Sequence, residues 1–201
     1  MSEIGRREFL KRVAVALGGA TSASVTAAIA SGAAAGSRSA SVDGSILTAT
    51  QRELTSLLTE LILPTTDTPG AIAAGVPAFV EQVVTEWYRP AERAAFLAGL
   101  AALDAEAQRR HGTAVAACTP PQRRALLEWS HQQAGDYRPP QFRTAPDTQA
   151  PFFWQMRELT IVGYYTSRVG ATAELRYVPL PGRYDGDYPL AEVGRAWSYQ
   201  L

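Results

Sequence analysis

Cysteine is almost missing: Cys118 is the only one in 201 residues. That excludes an internal disulfide, a CxxCH haem attachment, and any zinc or iron–sulfur centre built on cysteine ligands. Lysine ends at Lys11. No amine beyond it can form a Schiff base, so pyridoxal-phosphate chemistry is excluded for the rest of the chain. Histidine is scarce too, with only His111 and His131. His111 stands beside a helix end, where it caps carbonyls. His131 follows Ser130 directly, and adjacent residues on a helix do not face each other. Two histidines so placed make a poor metal site and a poor base.

The nucleotide and hydrolase signatures are also absent. No GxGxxG follows a strand, no Gly-rich loop ends in Gly-Lys-Ser/Thr, and no GxSxG elbow occurs. Asp185-Gly186-Asp187 reads as a turn with solvated carboxylates. A catalytic pair of Asp or Glu is a spatial arrangement that spacing cannot test, so a carboxylate-based glycoside hydrolase stays open as an alternative.

Charge of one sign is missing as well. The chain has 19 basic and 19 acidic residues. Residues 1–30 hold four of the basic ones (Arg6, Arg7, Lys11, Arg12) and two of the acidic ones (Glu3, Glu8). The remainder therefore carries 15 against 17, a net charge of −2. Such a balance gives no electrostatic case for nucleic acid.

What is present begins at the N-terminus. Arg6 and Arg7 stand together, with Phe9 and Leu10 close behind. An uncharged run, Val13 to Ser37, follows and is rich in Ala, Gly, Ser, Thr and Val. Leu and Ile are too few for a good membrane span. A positive start, a short apolar middle and small-residue sites at Ala28-Ile29-Ala30 and Ala33-Ala34-Ala35 define a secretory signal. The paired arginines narrow it to the twin-arginine type. Residues 1–35 are assigned to this signal, 36–47 to a flexible spacer, and 48–201 to a single domain.

The domain reads as all-α. Thr50-Gln51-Arg52-Glu53 has capping-box spacing. Leu54, Leu57, Leu58, Leu61 and Ile62 then form one stripe on a 3.6-residue period, stopped by Pro64. Pro77 opens a second helix that buries Phe79, Val80, Val83, Val84 and Trp87. Pro90 opens a third, with Phe96, Leu97, Leu100 and Leu103 inward and Gly112 beyond its end. Thr119-Pro120-Pro121-Gln122 is a second capping box, for a helix to about Ala134. Pro151 opens a helix, Phe152 to Ser167, that is apolar nearly all round and so either central to the fold or covered by a partner. Beyond Gly170 the period is lost, apart from a short helix from Pro189 to Trp197. No strand pattern is convincing.

That last third is rich in aromatics. Ten of the 18 aromatic residues lie between Pro151 and Leu201, too many for an irregular segment to bury by itself. Tyr, Trp and Arg dominate interface hot spots. Tyr164, Tyr165, Arg168, Tyr177, Tyr184, Tyr188, Arg195 and Trp197 are therefore the candidate partner interface.

Three blocks carry a resemblance: Leu61-Ile62-Leu63-Pro64-Thr65-Thr66-Asp67-Thr68-Pro69-Gly70-Ala71, Glu158 to Thr172, and Pro181 to Ser198. Their order resembles the gluconate 2-dehydrogenase subunit 3 family, the small subunits of periplasmic sugar dehydrogenase complexes. The resemblance implies a non-catalytic subunit without cofactor or metal of its own. FAD would sit on a large subunit of the glucose–methanol–choline (GMC) type, and a c-type cytochrome often takes the electrons. The small subunit would lend its signal to that partner, engage the twin-arginine (Tat) translocase, and stabilise the complex in the periplasm, in some cases at the membrane. Oxidation of gluconate and oxidation of glucosides at C3 are both implied substrate classes. A transient export chaperone is the remaining alternative.

Overall fold

Among the described residues, the longer helices begin at a capping box or with proline in or just before the first turn. The computed structural model describes residues 44–137, 150–178, 187 and 189–199. The export motif, Arg6, Arg7, Phe9 and Leu10, lies outside the described residues, as do Tyr184 and Tyr188.

Helix α1 is Ala49–Ile62. Its cap is Thr48, two residues before the Thr50 expected from the sequence. Thr48 Oγ1 accepts from the Gln51 amide at 3.2 Å, and Gln51 Oε1 accepts from the Thr48 amide at 2.9 Å. Glutamine thus plays the part expected of Glu53. Leu47 explains the earlier start. It is 3% exposed and its carbonyl accepts Arg52 Nη1 at 3.0 Å. The last residue assigned to the spacer is therefore a core anchor. The fully buried residues of α1 are Leu54, Thr55, Leu58 and Thr59, with Leu61 and Ile62 partly buried against the same core.

Helix α2, Val76–Gln82, carries Pro77 in its first turn and runs on into a π-helical turn, Val83–Trp87. A π turn widens the ring and leaves carbonyls turned aside. Arg93 takes them up: Nε donates to Val84 O at 3.2 Å and Nη2 to Thr85 O at 2.7 Å. Arg93 belongs to α3, Pro90–His111, which ends as expected in left-handed Gly112. Helix α4, Pro120–Gln133, has the predicted capping box of Thr119 and Gln122. Helix α5, Phe152–Thr166, is central as expected: it packs on α1, α2, α3 and α4.

Two departures lie at the C-terminal end. Arg176–Val178 (β1) and Trp197–Tyr199 (β2) form a two-stranded parallel sheet, where the sequence shows no strand pattern. The helix expected over Pro189 to Trp197 is one turn only, α6, Leu190–Val193. Gly194, with φ 65°, stops it and releases Trp197 into the strand. The architecture remains helical with almost no strand.

Helix directions follow from contacts at their ends. Arg52, in the first turn of α1, reaches Glu81 at the end of α2 at 3.4 Å. Leu63 O, just past α1, accepts from the Ala71 amide ahead of α2 at 2.9 Å. The two helices are therefore antiparallel. Tyr164, in the last turn of α5, donates to Pro69 O at 2.7 Å, so α5 ends where α1 ends. At the other end of α5, Phe153 stacks on His131 at 4.4 Å, and Phe152 packs on Phe96 at 5.5 Å. Cys118 is buried and free. No helix among the described residues is long and apolar enough to cross a membrane.

One packing point and one charge cluster yield tests. A Cβ on Gly163 would stand 2.7 Å from Phe79 Cδ1, so α5 and α2 touch through a glycine. Gly163→Ala should lose about 1–3 kcal/mol, the usual cost of overpacking a core, read as a lower midpoint in denaturant unfolding. At the end of α3, Glu106 pairs with Arg109 at 2.6 Å and with Arg110. Hydrogen bonding to Arg109 holds the Glu106 carboxyl down to about 2, against the opposing effect of burial, with Arg110 adding to Arg109. A carboxyl lowered on folding stabilises fully above its ordinary value of 4.5 and loses that contribution as pH falls towards 2. Wild type should therefore exceed Glu106→Gln in unfolding free energy at pH 6, with the gap closing in that window. Added salt should narrow it as well, because Arg109 is largely exposed.

Candidate docking face

Where α1 and α5 both end, four segments of the chain converge. The first is the loop Leu63 to Gly70, which has few main-chain partners of its own. Glu60 supplies them. Its Oε1 accepts from the Thr65 amide and from Thr65 Oγ1, each at 2.9 Å, and its Oε2 accepts from the Ile72 amide at 2.9 Å. Thr65 Oγ1 in turn accepts from the Gly70 amide at 3.0 Å. The packing is so close that a Cβ on Gly70 would lie 2.3 Å from Glu60 Oε1 and 2.5 Å from Thr65 N.

The second segment is the corner at the end of α5. Ser167 breaks the helix; its hydroxyl donates to Tyr164 O at 2.6 Å and accepts from the Gly170 amide at 3.0 Å. The chain restarts as a π-helical turn, Gly170–Glu174. Only glycine fits at 170, since a Cβ would meet Tyr164 O at 2.1 Å. Thr68 ties loop to turn by donating to Glu174 Oε2 at 2.6 Å. The third and fourth segments are β1, which follows the turn, and the stretch Arg195–Ala196, which leads into β2.

An open cleft of about 310 Å³ lies among them, lined by Asp67, Thr68, Tyr165, Glu174, Leu175, Arg195 and Ala196. Burial, the Glu174 carboxylate and Tyr164 together push the Tyr165 phenol above its ordinary value. Arg195 is not free to fill the cleft, because its guanidinium donates to Ala173 O. Asp67 is exposed, and Glu174 is held by Thr68. Among the described residues, no group of three or more His, Cys, Asp or Glu gathers as a metal site.

The candidate interface residues divide. Tyr164 is 4% exposed and its hydroxyl is committed to Pro69 O. It is core and has no surface to offer, which corrects the sequence reading. Its neighbour Tyr165 is half-buried on the cleft wall. Arg168 and Arg195 are exposed, and Tyr177 on β1 is 45% exposed. Trp197 is half-buried, with the Arg176 guanidinium 5.3 Å from its ring centroid and its Nε1 donating to Val193 O at 3.3 Å. Sequence reasoning missed Arg176, Glu174 and Thr68. The aromatic–arginine interleaving that drew attention to Tyr177 also contained Arg176. Thr68 and Glu174 carry no such signal, since their pairing is spatial.

A family model described as gluconate 2-dehydrogenase subunit 3 matches residues 49–182. No curated protein and no solved structure matches the chain. The matched span runs from α1 through β1 and so includes the Glu60 loop and the α5 corner. It stops short of α6 and β2.

Tyr164→Phe tests the strut between α5 and the loop. Loss of one buried hydrogen bond should cost about 1 kcal/mol of global stability. Amide exchange at Gly70 and Ile72 should speed up by more than at the core of α3, measured by residue-resolved hydrogen exchange.

Proposed function

The chain belongs to the gluconate 2-dehydrogenase subunit 3 family, and from that premise we propose that it is the non-catalytic small subunit of a periplasmic, FAD-dependent sugar dehydrogenase. The family is one of subunits of a multisubunit dehydrogenase. In the proposed complex the flavin and the chemistry sit on a GMC-type large subunit. That partner oxidises gluconate or a glucoside, and a c-type cytochrome accepts the electrons. The small subunit supplies the twin-arginine signal and stabilises the partner.

The observation that supports this reading is the face at the common end of α1 and α5. It presents Tyr177, Arg168, Arg176 and the edge of Trp197 on a rigid mount. Aromatic and arginine side chains on a fixed scaffold suit a protein partner, since they bring large contact area at low ordering cost. The cleft beside them is open and mostly polar-lined, unlike the enclosed apolar pocket of a small-molecule enzyme site. These features favour the subunit over an independent glycoside hydrolase.

Purification of the tagged full chain from the periplasm tests the reading. The expected result is a larger co-purifying polypeptide with flavin absorbance in the visible spectrum. A lone, colourless, folded chain would overturn it in favour of an independent enzyme or a transient chaperone. Arg6→Lys combined with Arg7→Lys tests the carrier role. Both this chain and its partner should remain in the cytoplasm, as followed by fractionation and immunoblot. Export of the partner alone would refute carriage.

A further inference from the structure

β1 and β2 form a sheet that is unusually small for its type. Parallel strands normally lie in larger sheets covered on both faces, and a two-stranded sheet barely stands alone in water. Here each strand has three residues, in the register Arg176↔Trp197, Tyr177↔Ser198 and Val178↔Tyr199. No third strand occurs among the described residues.

The ladder shows which backbone groups are left over. The Arg176 amide donates to Ala196 O at 2.9 Å, so Arg176 faces β2. Successive residues of a strand direct their main-chain groups to alternate edges. Val178 therefore also faces β2, and the N–H and C=O of Tyr177 face the other edge. No main-chain or side-chain bond among the described residues takes up either group. The edge is also accessible, since Tyr177 is 45% exposed and Arg176 is exposed. An accessible strand edge with unpaired donor and acceptor is a template for another strand.

We propose that the outer edge of β1 is a strand-addition site, where an extended segment of the large subunit pairs with the Tyr177 main chain as the third strand. This rests on the accessory-subunit reading and specifies how the partner is held. Peptide recognition by strand addition draws affinity from main-chain bonds and specificity from alternate side chains. On one face, Arg176 stacked over Trp197 presents an exposed cation. It favours a segment with a carboxylate at the opposing position. The same cation disfavours a second copy of this chain as occupant. Antiparallel self-pairing about Tyr177 would set two Arg176 side chains diagonally across one face, a like-charge arrangement.

The test compares the complex with the full chain purified without its partner, by residue-resolved hydrogen exchange. Tyr177 N–H should exchange about tenfold or more slowly in the complex, as expected when an open amide gains a main-chain bond. Tyr177→Pro removes that N–H without touching the β1–β2 ladder, and proline is tolerated at an edge. It should weaken the complex about tenfold relative to Tyr177→Ala, which removes only the side chain. A stable complex in which Tyr177 N–H exchanges as in the free chain, or in which the two variants bind alike, overturns the proposal. So does protection that grows with concentration in the partner-free chain, which would assign the edge to a second copy. Failure to form any complex would instead overturn the accessory-subunit reading, and the strand with it. The exchange measurement uses the unmodified chain and decides the matter even where the proline variant fails to fold.

Discussion

A loop without a neighbouring strand must satisfy its amides somewhere, and in this molecule one carboxylate takes those at its two flanks, Thr65 and Ile72. Glu60 gathers Thr65 and Ile72 onto the end of α1. A carboxyl group has two oxygens, each able to accept more than one hydrogen bond, so one side chain can do the work of a missing ladder. The consequences run outward in sequence. The closed loop presents Pro69 O, which receives the Tyr164 hydroxyl and so sets the height of α5 against α1. It presents Thr68, which receives no free choice of partner but the Glu174 carboxylate at the far side of the α5 corner. The π-helical turn is thereby fixed, and β1 leaves it in a defined direction. The face proposed for docking takes its geometry from a side chain that does not belong to it.

Much of this was legible in the sequence, and the part that was not has physical causes. Helix starts with proline at the first turn, the Thr119 capping box and the left-handed Gly112 were readable because they depend on neighbours within four residues. The centrality of α5 followed from its all-round apolarity. The cap of α1 was misplaced because Thr48-x-x-Gln51 and Thr50-x-x-Glu53 have the same spacing; buried Leu47, a tertiary fact, decides between them. The π-helical turns carry no periodic signal, since their residues are ordinary helix formers. What makes the first possible is Arg93, a residue of the next helix. The strands were invisible for a similar reason: three residues are too few to alternate, and the pairing joins segments 21 positions apart, Arg176 with Trp197.

The docking residues show how far composition reaches. Counting aromatics points to the C-terminal third as a candidate interface, yet it cannot divide Tyr164 from Tyr165. Adjacent helical positions lie about 100° apart, and Tyr164 falls on the buried side with Thr160 and Gly163. Three glycines of the first two family-like blocks have readable reasons only in the structure. Gly70 admits Glu60, Gly163 admits Phe79, and Gly170 admits the Tyr164 carbonyl. In each case the missing Cβ lets two segments meet at a distance no other residue allows. Gly70 closes its loop onto α1, Gly163 seats α5 on α2, and Gly170 closes the corner at the end of α5.

The mount also separates two tasks that the accessory-subunit reading assigns to one chain. The chain enters α1 at Leu47 and leaves it at the Glu60 loop. Fourteen helical residues between them span about 21 Å. Arg52 fixes the entry end through Leu47 O and Glu81, while Glu60 fixes the exit end. A partner seated on β1 therefore contacts the far end of α1 from the point at which residues 1–43 join the fold. On the proposed reading the partner and the entry to the fold stand at opposite ends of α1. In the absence of any disulfide, buried Leu54 and Leu58 are what secure that helix to the core. The apolar stripe read first from the sequence is, on this view, the spacer between carriage and docking.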